Sequence, residues 1–82
     1  MRILGIDPGL QVTGYGVIDT SSATVQLVEA GVIRTDVKGS MAQRLNEIGA
    51  ALDEIVGEFN PEVVAIEELY SHYSHPKTAI IM

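Results

Sequence analysis

The 82 residues leave room for one small domain, or part of one, and for no second core. With 46% hydrophobic and 20% charged residues the chain is too apolar for intrinsic disorder, and the absence of cysteine excludes a disulfide framework, a thiolate zinc site and a cysteine nucleophile. A net charge of −6 repels phosphates at long range and argues against a self-sufficient nucleic-acid binder, but clustered carboxylates are also what a divalent cation requires, so composition leaves both readings open. No apolar run approaches the ~18 residues of a membrane span, and the early acid Asp7 speaks against a signal peptide. A cysteine-free chain suits the reducing cytoplasm, which is the expected location.

In chain order, the apolar run at residues 3–6 predicts a strand, ended by Asp7 and the turn residues Pro8 and Gly9. Residues 14–18 predict a second strand, in which Gly14 and Gly16 flank Tyr15 and clear one face of side chains. Ser21 and Ser22 are turn residues, and residues 25–33 alternate as a third strand, giving an antiparallel meander. The period then changes. Met41, Leu45, Ile48, Leu52, Ile55 and Phe59 are spaced as one face of a helix, opened by a Ser40–Gln43 capping box and ended at Asn60-Pro61. Residues 63–66 are nearly all apolar and predict a strand covered on both faces. Pro76 is placed to open a second helix, which would break off after seven residues with an apolar tail at residues 79–82. The expected order is βββαβα in an α/β fold, three antiparallel strands with a parallel fourth, and the chain reads as cut off within it.

Two acids stand out. Asp7 ends the first strand, and Glu67 and Glu68 end the fourth, where alternation allows only one of that pair to share a site with a given neighbour. If strand four lies parallel beside strand one, Asp7 and Glu67 both emerge at the carboxyl edge of the sheet, where ligands of α/β folds bind. Two charged carboxylates held close together favour a cation between them, and oxygen ligands select Mg²⁺ or Mn²⁺. The plainer alternatives are an aspartate bonded to turn amides and solvated acids at a strand exit. His72 and His75 lie in a loop context and read as exposed rather than metal-binding; Lys77 reads equally as a phosphate contact or a solvated lysine. Arg2, Arg34, Lys38 and Arg44 are scattered, and no Gly-Lys-Ser/Thr follows Gly9 to make a P-loop.

Residues 3–9 (ILGIDPG), 12–18 (VTGYGVI), 65–70 (AIEELY) and 76–79 (PKTA) resemble, in order and spacing, the RuvC family of bacterial Holliday junction resolvases. The resemblance runs the length of the chain and implies a ribonuclease H-like fold, of which residues 1–82 would be the N-terminal portion of a single nuclease domain. It implies a homodimer that nicks four-way junction DNA in symmetric pairs during recombination and repair, beside the RuvA–RuvB branch-migration complex. Asp7 matches the family's first catalytic and metal-binding aspartate, and Glu67 its catalytic and metal-binding glutamate, holding cations ~3.5–4 Å apart. Tyr70 matches an aromatic position used against junction bases, and Lys77 is a further DNA-binding candidate. The family completes its metal site with residues on a C-terminal helix absent here, so the 82-residue chain is expected to bind Mg²⁺ weakly and not to cut. After Tyr70 the segment at residues 71–75 carries one residue more than the common family pattern. The alternatives are an actin- or sugar-kinase-like phosphotransferase fragment and a non-catalytic binding or dimerisation piece.

Overall fold

The computed structural model describes residues 1–9, 11–67 and 78–81. Strands β1 (Arg2–Asp7), β2 (Val12–Asp19) and β3 (Gln26–Arg34) form the expected meander, followed by helix α1 (Met41–Phe59), strand β4 (Val63–Glu67) and strand β5 (Thr78–Ile81). The sheet order is β3-β2-β1-β4-β5. β1 is antiparallel to β2 and parallel to β4, so α1 serves as the crossover that returns the chain beside its first strand.

The helix lies where its sequence places it. Ser40 caps it through a hydrogen bond donated by the Gln43 backbone N–H, and the Gln43 side chain accepts from the Ser40 N–H in return. At the other end Asn60 turns left-handed, with φ 48°, and donates to the Val56 carbonyl. Arg2 reaches across from β1, donating from Nη1 to the Phe59 carbonyl at 3.0 Å while its Nε faces Asp19 at 3.4 Å. A cation there meets the unpaired carbonyls and the negative end of the helix, a role that scanning for a basic patch does not detect.

The core sits between α1 and one face of the sheet. Leu4 and Val17 are fully buried and form a cross-strand pair; Ile33 and Ile55 close over them, with Ile48, Leu52 and Phe59 at the margin. Each such burial contributes ~1.5–3 kcal/mol. The stripe on α1 is only partly used. Met41 and Leu45 remain 67% and 60% exposed, because the N-terminal half of the helix stands off the sheet and leaves an apolar groove lined in part by Ile6, Leu45 and Ile66.

Two expectations are corrected. Residues 63–66 are half-buried rather than covered on both faces, since among the described residues α1 is the one helix and packs on one side. Where a second helix was expected after Pro76, Thr78–Ile81 is a strand, antiparallel to β4 with Glu67 opposite Thr78 and Val64 opposite Ile81. Thr78, Ile80 and Ile81 are β-branched, which favours a strand. Pairing also satisfies backbone groups of β4 that a helix would leave open. Pro76 lies outside the described residues.

Candidate functional site

Strand alternation sends Leu4 and Ile6 of β1 toward α1, and Ile3, Gly5 and Asp7 to the opposite face. Register then defines three rows across that open face. The first is Leu27, Ile18, Ile3 and Val63; the second is Ala30, Gly16, Gly5 and Ala65. The third begins Val32, Gly14, Asp7, and carrying the parallel pairing one residue past Ile6–Ile66 adds Glu67. The face thus grades from branched apolar side chains, through almost bare backbone, to carboxylates at the carboxyl end of β1 and β4.

Asp7 and Glu67 are both exposed, and both line an open trough of about 480 Å³ whose floor is Gly5, Gly14, Gly16, Ala30 and Ala65. The two strands are neighbours and parallel, so the acids share one face and one rim. This is the juxtaposition the sequence argument required. Among the described residues no third histidine, cysteine or acid joins them to make a cluster of metal-ligating groups. The pair offers hard oxygen donors, the ligand type that Mg²⁺ and Mn²⁺ take, and a cation there would have few protein ligands and keep much of its water.

Between β1 and β2, Gly9 lies against the start of β2, where an added Cβ would overlap the Val12 carbonyl. That close approach of backbone, not a phosphate cradle, accounts for Gly9. The glycines of the trough have another basis. None of the described glycines has a left-handed φ, and a Cβ built at Gly5, Gly14 or Gly16 would meet its nearest neighbour at an ordinary 3.9 Å.

Tyr15, between two of these glycines, points to the helix side. Its ring lies against Gly31, where a Cβ would come within 2.9 Å of the Tyr15 Oη, and its hydroxyl donates to Glu29 Oε2 at 3.1 Å. Burial, and then the neighbouring Glu29 carboxylate, raise the Tyr15 phenol above its ordinary value. Tyr15 is therefore a packing residue with a satisfied hydroxyl. Arg44 donates to Thr35 Oγ1 at 3.1 Å on the helix side, remote from the acids' face. Glu68, Tyr70, His72, His75 and Lys77 lie outside the described residues.

The family described as crossover junction endodeoxyribonuclease RuvC matches residues 3–82. The RuvC of Rhodopirellula baltica is 45% identical over 80 residues, covering 98% of this chain and 45% of the relative. The RuvC of Alkaliphilus metalliredigens is 40% identical over 82 residues, covering all of this chain and 49% of the relative. Thermus thermophilus RuvC, solved in complex with a Holliday junction substrate, superimposes with a TM-score of 0.78 at 33% identity, covering 88% of this chain and 44% of that one. The chain spans about half the length of the curated relatives it matches.

Proposed function

The chain belongs to the RuvC family of crossover junction endodeoxyribonucleases, and on that premise we propose that it carries the Asp7–Glu67 half of a metal-dependent site for resolving four-way DNA junctions. The observation that carries this reading is the placement of both acids on one face and one rim of adjacent parallel strands. A neighbour of the same fold is solved with such a junction, which supports DNA as the substrate.

Bound Mg²⁺ or Mn²⁺ would supply charge for a scissile phosphodiester and acidity for a water nucleophile. Asp7 and Glu67 would hold that cation, each through carboxylate oxygens fixed by a strand rather than a loop. The bare trough beneath them gives a bulky, hydrated, negatively charged substrate unobstructed access. Tyr70 is proposed to stack against a junction base and Lys77 to meet a phosphate. The −6 balance repels DNA, so the cation and surfaces beyond these residues must provide the attraction. We further propose that the active form is a cytoplasmic homodimer presenting two such sites to one junction, with the RuvA–RuvB complex as its partner. Two carboxylates fix a cation weakly, so the 82 residues alone bind Mg²⁺ without cutting.

A chimera tests this directly. Appending the C-terminal half of the Rhodopirellula baltica relative after Met82 should restore Mg²⁺-dependent nicking of a synthetic four-way junction. Asp7→Asn or Glu67→Gln in that chimera should abolish it, by at least about a hundredfold. Nicking that survives both substitutions would overturn the assignment.

A further inference from the structure

Gly14 is the cross-strand partner of Asp7, on the same open face, with Val32 on its other side. Its φ is not left-handed, and among the described residues a Cβ there would find only the Asp7 Cβ, at an ordinary 3.9 Å. Neither backbone conformation nor packing among the described residues requires a glycine. A strand position of this kind ordinarily favours a β-branched residue, and a valine here would extend the cross-strand contact with the exposed Val32. Glycine weakens a strand. Its presence beside the carboxylate is explained by what it leaves open.

We infer that Gly14 is a positioning residue for the carboxylate pair, keeping the β2 flank of Asp7 free for the water ligands of a bound divalent cation. The inference rests on the proposed Asp7–Glu67 site and adds a residue to it. A hydrated Mg²⁺ or Mn²⁺ keeps several waters and needs space on the side of Asp7 away from Glu67. A branched side chain whose Cβ starts 3.9 Å from the Asp7 Cβ fills that space and strips water from the carboxylate. The Gly14 position should therefore separate folding from binding, with added bulk strengthening the strand while weakening the ion.

The experiment uses the 82-residue chain with Mn²⁺ as the probe, read by paramagnetic broadening of amide resonances in β1 and β4, with thermal unfolding in parallel. Gly14→Val and Gly14→Thr should unfold at or above the wild-type temperature while the Mn²⁺ dissociation constant rises about tenfold. Gly14→Ala should leave that constant within about twofold. Wild-type binding that is lost in Asp7→Asn but unchanged in both branched variants overturns the role of Gly14 and leaves the carboxylate site standing. Wild-type broadening that is absent, or indifferent to Asp7→Asn, overturns the site and the inference together. Failure of both branched variants to fold also overturns it, since the fold would then need the glycine for itself.

Discussion

The two faces of the sheet differ although they are written by alternate residues of the same strands. Toward α1, β1 contributes Leu4 and Ile6 to a core completed by Val17, Ile33 and Ile55. Away from α1 it contributes Gly5 and Asp7, with no helix over them among the described residues. A single four-residue stretch, Leu4-Gly5-Ile6-Asp7, therefore interleaves the residues that hold the fold together with those that leave room for chemistry. Stability and the proposed function are separated by side-chain direction rather than by distance along the chain. Substitutions at adjacent positions should accordingly have unrelated consequences.

The sharpest form of that contrast is a neighbouring pair. Leu4→Ala removes a fully buried side chain and should cost ~2–5 kcal/mol in urea unfolding, enough to threaten a domain this small. Gly5→Ala, one residue on, places a methyl in ordinary van der Waals contact with the Gly16 carbonyl oxygen, at 3.9 Å, and should be neutral or slightly stabilising. Equal losses at the two positions would break the comparison. Next comes Gly31→Ala, whose Cβ would lie 2.9 Å from the Tyr15 Oη. The ring must swing away from Glu29, at ~1–3 kcal/mol. A fluorescence or NMR probe of Tyr15 should change with it. Ser40→Ala removes the capping box and should cost ~1 kcal/mol, visible as a lower unfolding midpoint with the native fold retained.

A smaller effect distinguishes the far end of the sheet. Hydrogen bonds from Ser21, side chain and then backbone, hold the Asp19 carboxyl down at about 2, against an ordinary 3.8, with Arg2 adding to the effect. Because the folded value is the lower one, this contribution is fully present above about pH 4 and is lost as pH falls through about 2. Asp19→Asn should flatten the acid limb of stability in that window and leave neutral-pH cation binding untouched.

Much of this was legible in the sequence because it is encoded locally. The capping box at Ser40, the helical spacing from Met41 to Phe59 and the stop at Asn60 needed no tertiary information. The pairing of Asp7 with Glu67 followed from two strand exits and a crossover helix, and the register agrees with it. The α/β, ribonuclease H-like fold class stands on the same elements and on the solved relatives. What sequence did not disclose depends on contacts between distant residues. Gly31 is explained by Tyr15 on the next strand, and Arg2 by the end of a helix 57 residues later. The helical start signal at Pro76 carried no information about the β4 backbone that residues 78–81 pair with. The groove under Met41 and Leu45 likewise could not be read from a stripe whose period continues unbroken.

The central claim is that Asp7 and Glu67 act on one cation together. The most direct test is a Mg²⁺ titration of the chain with both side-chain carboxyl carbons followed by NMR, in wild type, Asp7→Asn and Glu67→Gln. The two carboxyls should shift with a single shared dissociation constant in wild type, and either substitution should remove the response of the other acid. Two carboxyls that titrate with separate constants, or one that keeps its full response when its partner is gone, would contradict the account.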